Sequence, residues 1–210
     1  MDKIKGIIIR TTDYREKDKI IDIFTPNGIV TATAKGVRSQ SAKLRSACTI
    51  MTFGEFIFGA GAGNILSGAD CIDNFFDSWG NSEKNAAVSF CFELVEKSFR
   101  NADETGEEFV FLLKIMREIN YGEAAPIASA LRFFVFCADR CGVDYSVVNK
   151  YNENAGELLE TFSKCEPDEV GILPYSPNRV SEAVSLLHNV YKDFLGVRIN
   201  ALKLLVEIPV

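Results

Sequence analysis

Four carboxylates fall close together near the start of the chain: Asp13, Glu16, Asp18 and Asp22. Paired carboxylates can hold Mg²⁺ for nuclease chemistry. Three of these four, however, lie in or beside a polar turn interleaved with Arg15, Lys17 and Lys19, a mixture that makes solvated ion pairs rather than a metal cage. No better constellation is present. The sequence has no Walker loop, no G-x-S-x-G and no H-E-x-x-H, and its single histidine, His188, reads as a surface or boundary residue on a helix. Gly59, Gly61 and Gly63 join two strand-like runs instead of opening a helix, so they do not make a phosphate cradle. The residue types argue against an enzyme.

They argue for a binding protein. Lys35-Gly36-Val37-Arg38 places two cations around a glycine, where backbone can approach a phosphate closely. Arg10, Lys17, Lys19, Lys43 and Arg45 lie in the same first segment, and Tyr14 is an aromatic on which a base could stack. The net charge of −6 hides this asymmetry. Residues 1–50 hold ten Lys or Arg against five Asp or Glu, a balance of +5, whereas the remainder carries −11. One basic working face on an acidic body is what such a split implies. The candidate nucleic-acid contacts are therefore Arg10, Lys17, Lys19, Lys35, Arg38, Lys43 and Arg45.

The elements that must position these cations are strands. Residues 29–35 alternate, with Val30, Ala32 and Ala34 on one face and Ile29, Thr31, Thr33 and Lys35 on the other. Small inward residues suit the crowded interior of a small barrel. Asn27-Gly28 signals a tight hairpin, so Lys19–Phe24 should pair antiparallel with that strand. Residues 4–14 make a first strand, with Ile7 and Ile9 on one face and Ile8 and Arg10 on the other. Residues 39–47 read as a loop with one helical turn. Two further runs, 52–58 and 64–72, are linked by the glycine-rich Gly59–Gly63, read as a flexible turn. Five short strands with a longer connection after the third fit a Greek-key barrel of the OB type, an SH3-like barrel being the nearest competitor.

After Trp79 the period becomes helical. Ala87, Phe90, Cys91, Leu94, Val95 and Phe99 define one helix, with Asn81 or Ser82 as N-cap; Phe109 to Ile119 define a second, and Pro126 opens a third. Residues 152–162 are weakly helical, and Pro167, Pro174 and Pro177 break the stretch beyond them. Val180, Val184, Leu187, Tyr191 and Leu195 define a last long helix, stopped by Gly196. The expected fold class is α+β: a five-stranded OB-type barrel over 1–79, then an all-helical domain over 80–210. Six scattered cysteines suggest reduced thiols in a cytoplasmic protein. The start has no signal-peptide core, and no apolar run approaches the roughly 20 residues that cross a bilayer.

Ile8-Ile-Arg-Thr-Thr-Asp-Tyr-Arg-Glu-Lys-Asp-Lys-Ile20, Phe24-Thr-Pro-Asn-Gly-Ile-Val30 and Ala34-Lys-Gly-Val-Arg38 resemble, in that order, the opening of the bacterial recombination mediator RecO family. Weaker similarity runs through Phe53-Gly54 and Tyr191–Arg198. The resemblance implies an OB barrel followed by helices, with Arg10, Lys35 and Arg38 best matching the family's basic face. It also implies a non-catalytic role in DNA repair: binding single- and double-stranded DNA, annealing strands, and acting with RecR to replace single-strand-binding protein (SSB) by RecA. The alternative is an OB-scaffold protein-interaction module with weak or no DNA binding.

Most relatives carry a four-cysteine zinc site between helical segments, whereas this chain has no CxxC. Cys137, Cys141, Cys165 and His188 are the nearest set available, and their spacing is wrong for paired zinc knuckles. The sequence therefore reads as a shortened member whose zinc-binding insertion, around 137–178, is degenerate or missing. The resemblance further implies that the acidic, apolar-ended SSB tail docks on the helical domain. Phe109, Leu113, Phe133 and Phe136 offer apolar material for it, and Lys114, Arg117, Arg132 and Arg140 offer cations. Phe133 and Phe134 are adjacent on one helix, which suggests more Phe than one stripe can bury.

Overall fold

Five strands form one antiparallel sheet: β1 (Lys3–Tyr14), β2 (Asp18–Thr25), β3 (Gly28–Ala34), β4 (Phe53–Phe58) and β5 (Leu66–Asp73), in the order β3-β2-β1-β4-β5. The two edges meet through a parallel bridge between Thr33 and Ile65, with Thr33 N–H donating to the Asn64 carbonyl. That closure makes the sheet an OB-type barrel rather than an open meander. These are features of a computed structural model, which describes residues 3–59 and 64–206. Most of the expected glycine-rich turn, residues 60–63, lies outside the described residues.

Alternation builds the barrel interior. Ile21 pairs with Ala32 and Ile23 with Val30, and Ile8, Ile21, Ile23, Ala32, Ala34, Cys48 and Phe56 share one core. Each Ile or Phe so buried contributes about 1.5–3 kcal/mol. Burial lifts the Cys48 thiol to about 11, so it sits in this core as a neutral small hydrophobe.

On β1 the expectation fails at one place. The register shifts between Ile8, opposite Ile23, and Arg10, opposite Asp22, so a bulge inserts Ile9. Arg10 therefore lies on the outer face, opposite to Ile8 rather than beside it. Outward residues at the other end of the strand are covered. Ile7 is paired with both Phe24 and Phe53, and Phe109 lies 5.9 Å from Phe24 and 6.3 Å from Phe53 between ring centroids.

The chain divides into two compact units, Met1–Phe75 with Phe99–Val110, and Phe76–Ser98 with Phe111–Val210. The segment Phe99–Val110 closes the β2–β3 hairpin end of the first unit. Thr105 Oγ1 accepts from Gly28 N–H and donates to the Thr25 carbonyl, and Thr105 N–H donates to the Pro26 carbonyl. In that hairpin the positive φ falls on Gly28, at 93°, and not on Asn27.

The second unit is helical: α1 (Ser82–Phe99), α2 (Gly106–Tyr121), α3 (Pro126–Arg140), α4 (Glu153–Lys164), α5 (Pro177–Leu195) and α6 (Leu202–Val206). Only the start of α2 and the last residue of α1 belong with the barrel. Asn81 caps α1 by accepting from Lys84 N–H, and Asn152 caps α4 from Ala155 N–H. Gly196 ends α5 at φ 70°, as expected. Pro177 does not break structure; it occupies the first turn of α5, where its missing N–H costs nothing. α5 is the last long helix, and only the short α6 comes after it.

Phe90 and Phe134 meet edge to face at 5.3 Å and Phe134 meets Tyr191 at 5.1 Å, so α1, α3 and α5 share a core. α3 is buried from Ala128 through Val135. Phe133 and Phe134 are both fully buried, one on each side of a helix that is surrounded. No surplus Phe is left over from that pair.

Candidate nucleic-acid interface

The β1–β2 turn and the start of the long β3–β4 connection are tied together at one end of the barrel. Asp18 Oδ1 accepts from Gly36 N–H at 2.8 Å, with Gly36 at φ 68°, and Arg38 N–H donates to the Lys17 carbonyl at 3.0 Å. The Arg38 guanidinium then crosses to the turn, donating to the carbonyls of Arg15 and Glu16 and pairing with Asp13 at 3.0 Å. Arg38 thus holds the two loops in register. Its charge is partly answered by Asp13, which leaves it less available to a phosphate than sequence alone implies.

Around this joint four cations are open. Lys17, Lys35, Lys43 and Arg45 are exposed, and no side-chain hydrogen bond or ion pair engages them among the described residues. Arg15, which is not among the cations that the sequence singles out, stands at φ 53° with its guanidinium 5.0 Å from the centre of the Tyr14 ring. Its signal is the interleaving of charges in the turn, which by itself implies only solvation. Lys19 is half-buried, opposite Asp13 and Ala34, with the inward parity of Ile21. Its charge opposes the burial shift of the Cys48 thiol, which places the ammonium at the barrel mouth rather than on the outer face.

Tyr14, Arg10 and Lys35 share the outer face by register. Opposite Arg10 lies Asp22, only 7% exposed, which accepts from Thr31 Oγ1 at 2.6 Å and pairs with Arg100 at 3.0 Å. The four early carboxylates therefore go to four different tasks: Asp13 to Arg38, Asp18 to a backbone amide, Asp22 to Thr31 and Arg100, and Glu16 to the exposed turn. Among the described residues no three His, Cys, Asp or Glu side chains converge.

The nearest zinc-ligand set does not fit a metal either. Cys137 is buried in α3, Cys165 Sγ donates to the Phe162 carbonyl, and Cys141 Sγ lies 3.9 Å from the Tyr191 hydroxyl. His188 is buried, not at the surface, and its Nε2 accepts from Ile199 N–H at 3.2 Å. Each of the four donors already has a separate place in the helical packing.

The expected tail-binding cations are likewise dispersed. Lys114 and Arg117 line a cleft of about 410 Å³ with Tyr121 and Pro167, and Lys114 also pairs with Glu166. Arg140 is exposed at the end of α3. Arg132 is 6% exposed: its Nε donates to the Cys165 carbonyl at 2.7 Å and its guanidinium lies 4.6 Å from the Phe111 ring centre. Phe111 in turn stacks on Phe136 at 4.1 Å, whereas Phe109 is part of the barrel unit.

Residues 1–75 match the family model described as Recombination protein O N terminal. The chain is 23% identical to DNA repair protein RecO of Staphylococcus haemolyticus, across 98% of this chain and 96% of the relative. It is equally identical to that of Listeria monocytogenes, across 99% and 94%. A stretch covering 61% of the chain and 53% of the relative is 36% identical to DNA repair protein RecO of Bacillus cereus. The Staphylococcus alignment runs to 242 residues against 210 here, so that relative has residues without a counterpart in this chain. With its barrel matched by the family model and nearly its whole length by these relatives, the chain is similar to RecO proteins from the barrel through the helical unit.

Proposed function

We propose that the chain is a non-catalytic DNA-binding mediator of DNA repair in the bacterial cytoplasm. It would bind and anneal DNA strands and, with RecR, assist RecA loading onto SSB-coated single strands. The observation that carries the reading is the barrel end where Lys17, Lys35, Lys43 and Arg45 stand unengaged on connected loops, beside an outer face bearing Tyr14 and Arg10. Cations in that setting neutralise phosphates and release counterions, and an exposed aromatic gives a base something to stack on. RecR and RecA come from the family alone. For the SSB tail, the Lys114–Arg117 cleft is the candidate: Arg117 and Lys114 suit its carboxylates, opposed by Glu118 and Asp168 in the same lining, and Tyr121 and Pro167 give an apolar wall.

The test is oligonucleotide binding across a salt series. Lys17→Ala with Lys35→Ala should weaken binding for all sequences alike and lower the log–log salt slope by about 0.7 per lost contact on single strands. An unchanged affinity and slope would instead support the protein-interaction module, a reading favoured by the Asp13–Arg38 pair and by Asp22 on the sheet face. Arg38 is a poor first choice for substitution, because removing it also unties the loops.

A further inference from the structure

We propose that the groove between the turn Tyr145–Lys150 and α5 docks a short cationic, apolar helix of a partner protein. α5 carries two apolar stripes. Val180, Val184, Leu187 and Tyr191 face the core and are fully buried. Leu186, Val190 and Phe194, spaced i, i+4, i+8, form a second stripe that the helical unit does not cover: Leu186 and Val190 are half-buried and Phe194 is 60% exposed. Val147 and the 76%-exposed Tyr151 face that stripe across an open groove of about 530 Å³. A groove of this size, with an aromatic on each side, is a place where apolar side chains of another segment lose water contact favourably.

Charge selects the occupant. The groove is bordered by Asp144 and Asp193, and none of the residues lining it is Lys or Arg. Residues beyond the first 50 carry a balance of −11, so the surrounding field has the same sign. Asp144 uses its Oδ1 to cap the turn, accepting from Ser146 N–H and Oγ, which fixes the carboxylate at the groove's edge. An acidic tail is repelled here. A second copy of this chain would bring Asp144 and Asp193 of both protomers into one interface with no lining cation to answer them. The stripe from Leu186 to Phe194 is about 12 Å long, two turns of helix. An amphipathic segment with two or three apolar anchors and flanking Lys or Arg matches it in length and sign.

The probe is a labelled helical peptide of about twelve residues with Leu at i, i+4 and i+7 and Lys at both ends, titrated against the full chain. Controls are the same peptide with Glu for Lys and sedimentation of the protein alone. The Lys peptide should bind saturably, more weakly as salt rises, and the Glu peptide should not. Asp144→Asn with Asp193→Asn keeps the cap and should weaken binding by about tenfold; Phe194→Ser, at an exposed position, should weaken it at least as much. Equal binding of the two peptides, no saturable binding, or unchanged affinity in both variants overturns the proposal. Dimers that Phe194→Ser dissolves would overturn it in favour of a second copy.

Discussion

The barrel and the helical unit use their cations differently. At the barrel end, the loops are held by backbone amides, by Asp18 and by the single guanidinium of Arg38, so Lys17, Lys35, Lys43 and Arg45 are left to solvent. In the helical unit Arg132, although it stands at a spacing that suggests a ligand site, is folded into the packing against Phe111 and Cys165. A cation among apolar residues is a candidate only until its burial is known. Where the backbone supplies the hydrogen bonds that fix a loop, side-chain charge is released for binding; where a helix is surrounded, the charge becomes part of the core.

The sharpest way to break that contrast is at the hinge of the hairpin. A Cβ on Gly28 would come within 2.3 Å of the Ala102 carbonyl oxygen, at a φ of 93° that an L residue rarely adopts. Gly28→Ala should cost about 3 kcal/mol from strain and displacement together, read as a lower urea midpoint. A near-neutral effect would show that the Phe99–Val110 segment does not lean on the hairpin as described.

Arg132→Ala should come second. It removes a charge-assisted hydrogen bond and a buried cation–π contact, partly offset because Nη1 has no hydrogen-bond partner among the described residues. A net loss of about 2 kcal/mol is expected, lowering Tm by about 2–4 °C per kcal/mol for a chain of this size. Arg117→Ala, on the cleft surface, should leave stability within about 0.5 kcal/mol and is the cleaner probe of tail binding. If the two variants destabilise equally, the distinction between a folded-in and a free cation fails.

Legibility in the sequence divides along the same line. Alternation over 29–35 and the Thr-Pro-Asn-Gly turn made the barrel legible, because period two and turn chemistry are local. The bulge at Ile9 was not, since it depends on how β1 must bend between β2 and β4, and it moved Arg10 to the other face. Gly28 was legible as a turn residue but not as the seat of Ala102, a contact made 74 residues away in sequence. In the helices, 3.6-residue periodicity located the core stripes of α1, α3 and α5. It did not reveal that α3 is enclosed, or that a second stripe on α5 is open, because one sequence does not say which faces find partners. Asp13 and Arg38 were each singled out, one as a candidate metal ligand and the other as a phosphate contact. Their pairing was hidden by 25 residues of sequence separation.

The smallest expected effect concerns His188, the residue whose burial the sequence did not show. Burial, then the positive charges of Arg198 and Lys192, hold its imidazole below the usual 6.5, against a smaller opposing pull from Glu93. The neutral ring is the form that accepts from Ile199 N–H through Nε2, a bond that pins the segment after α5. A folded pKa below the unfolded one means that the unfolded chain takes up the proton first as pH falls. The contribution of His188 is therefore complete above about pH 6.5 and declines as pH drops through the folded value beneath it. One hydrogen bond is at stake, about 1 kcal/mol. Other groups titrate in the same range, so the measurement is a difference: urea midpoints of wild type and His188→Gln at neutral and mildly acidic pH. The Gln amide oxygen can accept the same N–H without titrating, so the gap between the two proteins should narrow or reverse on acidification. A constant gap would mean that His188 holds the segment by shape alone.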